Sequence, residues 1–184
     1  KKDGSKLAQE DFASLSGRTP QTHGEHYKYI GSYLELFQIL KKFVPAYLLE
    51  SPKLLKIIIF NYLFSNGDAH FKNFSLIETS LGDFKLSPAY DLLNSRIHIE
   101  DKDFALDEGL LPKSLAQGKI IEQIKILSNK AGINEKIYND IINTMLNQTV
   151  LVKKLTSSSF LDETTQRNYF QTYQTRLKKL KNWK

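Results

Sequence analysis

The segment from Pro52 to Phe64 constrains this chain more than any other. Leu54, Leu55, Ile57, Ile58, Ile59, Phe60, Tyr62, Leu63 and Phe64 leave it almost no polar face. A helix that is apolar nearly all round has to be surrounded by other elements. With Ser51 suited to cap it and Pro52 suited to its first position, it is expected to be the spine of a single domain. It is too short to cross a bilayer, which takes about 20 apolar residues. Ser65-Asn66-Gly67 ends it, so the polar stretch that follows starts from the most rigid part of the fold.

Other elements are expected around this spine. Leu7 to Leu15 reads as a short helix, and Gly17, Pro20 and Gly24 mark a loop behind it, so residues 1–27 form an irregular leading segment. Tyr29, Ile30, Tyr33, Leu34, Leu36, Phe37 and Leu40 recur at helical spacing from Lys28 to Leu40. Phe74 to Glu78 and Asp83 to Ser87 alternate around a Gly-containing turn, which predicts a β-hairpin. A polar, irregular stretch runs on to about Pro112. Three helices then make a tail over residues 113–184: Ser114 to Ala131, Asn134 to Leu155, and Asp162 to Trp183. The class is mainly α with one small hairpin.

Hydrophobic residues make up 41% of the chain and charged ones 25%, the balance of a globular chain rather than a disordered one. No cysteine is present, which excludes disulfides and thiolate metal sites and suits a reducing cytoplasm. The polar start, Lys1-Lys2-Asp3-Gly4-Ser5-Lys6, does not read as a signal peptide, and nothing suggests a membrane partner. Net charge of +6 permits an acidic partner without requiring one.

Chemistry-bearing residues concentrate in Asn66-Gly67-Asp68-Ala69-His70-Phe71-Lys72-Asn73 and Pro88-Ala89-Tyr90-Asp91. Asp68 and Asn73 would lie about 140° apart on a regular helix, so they share a ligand only if the loop is irregular, as Gly67 allows. Asn73 opens the hairpin and Asp91 follows its exit. Because a hairpin returns the chain to where it left, an amide and an acid are expected at its open end. An Asn oxygen and a carboxylate on Mg²⁺, with a second carboxylate free to take a hydroxyl proton, are the minimum equipment for phosphoryl transfer.

The run Asn66 to Ser75, followed by Leu86-Ser87-Pro88-Ala89-Tyr90-Asp91-Leu92-Leu93, resembles the C-terminal region of HipA-type serine/threonine kinases, the toxins of bacterial toxin–antitoxin modules. Leu7-Ala8-Gln9-Glu10-Asp11-Phe12 and Lys28-Tyr29 resemble earlier words of the same region, and recognisable words span about residues 5 to 112. The resemblance implies a kinase-like helical C-terminal lobe over residues 1–184, binding ATP and Mg²⁺. It implies Asp68 as catalytic base, and His70, Lys72 and Asn73 on the ATP–magnesium loop. Asn73 and Asp91 would be the metal ligands, and Tyr90 would stand beside the nucleotide. The implied partners are a protein substrate and an antitoxin, with nucleic acid reached only through the antitoxin. No Gly-rich phosphate loop or strand lysine is present in these residues, so the N-terminal lobe is missing from them. The chain alone is expected to have weak kinase activity or none.

Two other classes stay open at this level. One is a non-catalytic interaction module that holds an antitoxin or a substrate protein. The other is metal-dependent hydrolysis, with Asp101 and Asp103 as additional ligands. His23, His26 and His98 lack carboxylate partners at zinc-ligand spacing. Arg176, Lys178, Lys179, Lys181 and Lys184 are read as complementing a helix dipole rather than binding nucleic acid, and Tyr169 and Tyr173 as packing residues.

Overall fold

The computed structural model describes residues 6–97 and 103–181. The hairpin is present and gains a third strand. β1 (Gln9–Asp11) pairs antiparallel with β2 (Ser75–Glu78), and β2 with β3 (Phe84–Leu86), in the order β1-β2-β3. Glu10 lies opposite Leu76, and Leu76 opposite Leu86. The expected helix over Leu7 to Leu15 is thus half strand: the free edge of β2 takes the backbone of Gln9–Asp11. Asp11 then caps α1 (Phe12–Leu15), accepting the Ser14 N–H at 2.9 Å.

The expected loop after α1 contains α2 (Pro20–His23), capped by Thr19. α3 (Tyr33–Phe43) begins later than the periodicity suggests. Residues 29–34 are tied instead to 107–110: Asp107 and Glu108 donate N–H groups to the Tyr29 and Gly31 carbonyls, and Tyr33 donates to the Gly109 carbonyl. Gly31 sits at φ +110°, and a Cβ there would meet a Glu35 carboxylate oxygen at 2.3 Å, so only glycine fits this start.

The spine is α4 (Tyr47–Leu63), which starts five residues before the predicted Pro52. Ser51 is buried inside it rather than capping it, and Pro52 is an interior proline. The N–H that Pro52 lacks would have reached the carbonyl of Leu48, whose side chain is 70% exposed, so water can satisfy that carbonyl. Leu54, Leu55, Ile58, Ile59, Tyr62 and Leu63 are all at most 2% exposed, as an all-round apolar helix requires. α4 packs on α3, β3 and two tail helices.

The tail has four helices: α5 (Ile120–Lys130), α6 (Glu135–Leu146), α7 (Thr149–Ser157) and α8 (Glu163–Lys181). Asn147-Gln148 divides the predicted Asn134 to Leu155 helix, and turns about Pro112 and Gly118 delay the first. His98, Asp101, Trp183 and Lys184 lie outside the described residues. Tyr173 is buried and stacks on Phe64 at 5.3 Å, and Tyr169 packs on the same ring, so both are packing residues. Arg176 departs from the dipole account. It is 3% exposed and donates to Asp103 Oδ1 at 2.6 Å, which Lys179 also approaches at 3.3 Å. Asp103 is therefore engaged in an ion-pair cluster and is no spare metal ligand for the hydrolytic reading.

Candidate active site

The loop leaving α4 is held open by side chains rather than by helix bonds. Ser65 sits at φ +54°, a left-handed turn that swings the chain off the helix axis. Its carbonyl accepts the Ser95 N–H at 3.1 Å and hydroxyl at 3.2 Å, and Ser95 Oγ accepts the Gly67 N–H at 2.6 Å. Asn66 is a buried hub. Its side-chain NH₂ donates to Asn61 Oδ1 at 3.1 Å and to the Asp91 carbonyl at 2.9 Å, and its Oδ1 lies 3.3 Å from the Asp68 N–H. One amide thus binds the loop to the segment that returns from the hairpin.

Asp68 is half-buried, and its Oδ1 accepts the Tyr29 hydroxyl at 2.7 Å. Its carbonyl accepts the His70 N–H at 2.8 Å, bending the chain into a single 3-10 turn over Phe71–Asn73. Phe71 anchors that turn in the core, with the Arg18 guanidinium 3.7 Å above its ring, and its N–H donates to the Lys28 carbonyl at 3.1 Å.

The turn brings Asn73 to the mouth of the hairpin, where its Nδ2 donates to Asp91 Oδ2. Its Oδ1 accepts the His70 N–H at 3.1 Å. A backbone donor on one side and a carboxylate on the other leave only one orientation for the amide. Asp91 is exposed and at φ +54°, a conformation its short polar side chain tolerates and Asn66 stabilises through the Asp91 carbonyl. The expected juxtaposition of Asn73 and Asp91 is present.

Tyr90 and Lys72 meet in an unexpected way. The Tyr90 hydroxyl donates to the Lys72 carbonyl at 2.7 Å and contacts Ser75 Oγ, pinning the hairpin exit to the turn, while the Lys72 side chain is exposed. His70 is 6% exposed, and its ring lies edge-on to Tyr29 at 5.1 Å. Burial, with the Lys28 charge adding to it, holds its pKa below the ordinary histidine value against the pull of Asp68 and Asp91, so it is neutral at pH 7. Its Nδ1 is buried with no hydrogen-bond partner among the described residues.

The donor set at the hairpin mouth fits magnesium. Asn73 Oδ1 and the Asp91 carboxylate are hard oxygens on adjacent side chains, and Mg²⁺ characteristically takes one or two protein ligands and fills the rest with water and phosphate. Among the described residues no three His, Asp or Glu side chains gather at metal-binding range. No described helix is long and apolar enough to cross a membrane. Tyr29 and Ser95 were not legible as site residues. Tyr29 reaches Asp68 from 39 positions away, and the sequence marks it only as a helical-period position and as part of the Lys28-Tyr29 family word.

The helical body with its small antiparallel sheet is a fold shared with kinase-like proteins. The chain is similar to HipA in the Shewanella oneidensis MR-1 toxin–antitoxin complex of HipA, HipB and operator DNA, with TM-score 0.59 and 20% identity over 95% of this chain and 44% of that one. It is also similar to the Helicobacter pylori proinflammatory kinase CtkA, with TM-score 0.51 and 14% identity over 96% of this chain and 69% of that one. Residues 1–152 match the HipA-like C-terminal domain, and the chain belongs to that family. Among relatives, a Sinorhizobium fredii protein named "Putative kinase Y4dM" is 33% identical over 132 residues, 71% of this chain and 30% of the relative. "Putative kinase Y4mE" of the same organism is 34% identical over 94 residues, 49% of this chain and 21% of the relative. The chain spans under a third of the length of either.

Proposed function

We propose that residues 1–184 are the helical lobe of an ATP-dependent serine/threonine protein kinase that serves as the toxin of a toxin–antitoxin module. The observation that carries this reading is the Asn73–Asp91 side-chain hydrogen bond across the hairpin mouth, on the same short loop as Asp68. Family membership and relatives named as kinases support it.

Asp68 is the general base. As the acceptor oxygen bonds to the γ-phosphorus and the bond to the ADP oxygen breaks, the acceptor proton passes to the Asp68 carboxylate. Asn73 and Asp91 would hold Mg²⁺, which when bound would neutralise charge on the phosphate oxygens. Neutral His70 fixes the ATP–magnesium loop from its buried side, Lys72 supplies positive charge at the loop, and Tyr90 lies beside the nucleotide while fixing the hairpin exit. The acceptor is a protein hydroxyl. The S. oneidensis complex supports an antitoxin as partner, with nucleic acid reached through it. ATP as substrate and the lack of cysteine favour the cytoplasm. Because the 184 residues hold no Gly-rich phosphate loop, they transfer phosphate weakly or not at all by themselves.

The test uses the full gene product with γ-labelled ATP and Mg²⁺, reading autophosphorylation and transfer to a degenerate Ser/Thr peptide library. Asp68→Ala and Asp91→Ala should each lower the rate about 100-fold or more. Labelling at the wild-type rate in both variants sinks the assignment.

A further inference from the structure

Tyr29 belongs to none of the residues expected to do chemistry, yet its hydroxyl donates to Asp68 Oδ1 at 2.7 Å. The contact is built from several sides. The Tyr29 N–H donates to the His26 carbonyl at 2.9 Å, and its own carbonyl accepts the Asp107 N–H at 3.0 Å. Its ring stands edge-on to His70 at 5.1 Å, and the Lys28 ammonium lies 5.0 Å from its ring centroid. The neighbouring Lys28 carbonyl takes the Phe71 N–H, so the 28–29 segment grips the site loop at a second point. The other oxygen of Asp68 receives no hydrogen bond from a described residue.

We infer that Tyr29 is a positioning residue for Asp68, holding one carboxylate oxygen so that the other faces the acceptor hydroxyl. This rests on Asp68 being the base. A carboxylate on a turn can rotate about its side-chain bonds, and each orientation that turns both oxygens away from the acceptor is unproductive. A hydrogen bond from a fixed hydroxyl removes those orientations without occupying the second oxygen, which retains its lone pairs. Burial first, then the hydrogen bond and charge of Asp68, push the Tyr29 phenol up to about 12, so it remains a proton donor at any working pH. The general base recruits from a segment 39 residues upstream what its own loop lacks.

Tyr29→Phe keeps the ring against His70 and removes only the hydroxyl. In the full gene product, with Mg-ATP and the Ser/Thr peptide library, kcat should fall about tenfold while KM for ATP stays within about twofold. In an Asp68→Ala background the same change should cost nothing further, because there is no carboxylate left to orient. An unchanged or raised kcat overturns the inference, as does a further loss in the Asp68→Ala background or a loss confined to KM for ATP. If Asp68→Ala itself labels at the wild-type rate, the kinase reading fails first. If Asp68→Ala is inactive while Tyr29→Phe matches wild type, only the positioning role fails.

Discussion

Asn73 carries two opposite demands on one planar amide. Its oxygen accepts from the His70 backbone at 3.1 Å and its nitrogen donates to Asp91. One lone pair stays free on the oxygen, so the same atom that shapes the turn is available to a cation. Replacing the NH₂ by an oxygen tests this directly. Asn73→Asp sets two carboxylates against each other at the hairpin mouth, which should cost about 1–2 kcal/mol in metal-free buffer. Millimolar Mg²⁺ should then raise Tm more in the variant than in wild type, because a dication between the two acids relieves the repulsion. Thermal melts with and without Mg²⁺ check it, and equal metal responses count against the proposed ligand pair. The Asn73–Asp91 contact was legible in the sequence for a geometric reason: a short hairpin must bring its two ends together. Tyr29–Asp68 was not, since a bond between residues 39 apart leaves no local periodicity to read. Asn66 falls between the two. Its position was visible, but its role depends on Asn61 and Asp91 meeting in space.

At the scale of elements, α4 shows what burial can override. Its apolar faces predict a buried helix, as found, but proline is at home in a first turn and so marks Pro52 as the expected start. The real helix begins at Tyr47 and runs through the proline. Packing of Leu54 and Leu55 on one side and the exposed Leu48 turn on the other make the lost hydrogen bond tolerable. Pro52→Ala restores that bond and should stabilise the protein by about 1 kcal/mol, less than the full interior cost of proline because its restriction of the unfolded chain is also lost. Urea denaturation measures it, and a destabilised variant would place the first turn under a constraint that proline relieves. β1 carries no signal in the sequence for a related reason. Gln9–Asp11 is short and has no buried side chain, so only the free edge of β2 makes it a strand. Asn147-Gln148 divides α6 from α7 with residues that also suit a helix surface, and neither period nor composition marks such a break.

At the scale of the whole molecule, the last helix is part of the same body as the site. The family match ends at residue 152, yet α8 beyond it contributes Tyr173, Arg176, Leu177 and Leu180 to the buried interior. It packs on α5, α6 and α7, and its aromatic and cationic side chains also reach the C-terminal end of α4, the part that launches the site loop. Tyr173 stacks on Phe64, and the Arg176 guanidinium lies 4.7 Å from the Tyr62 ring centroid. Phe64 is the residue before Ser65, where the chain turns toward Asp68. Arg176 joins three parts in one side chain: α8 through its backbone, α4 through Tyr62, and the segment before Leu106 through Asp103. Arg176→Ala removes a buried ion-pair partner and the packing of its stem together, and should destabilise the protein by about 3 kcal/mol. Lys178→Ala, exposed one turn from the end of the same helix, should change stability by less than about 0.5 kcal/mol. Chemical denaturation of the two variants separates a latch from a merely basic helix end. Equal small effects would return Arg176 to the dipole account, and a large loss confined to Arg176 would make α8 the brace against which the site loop is held.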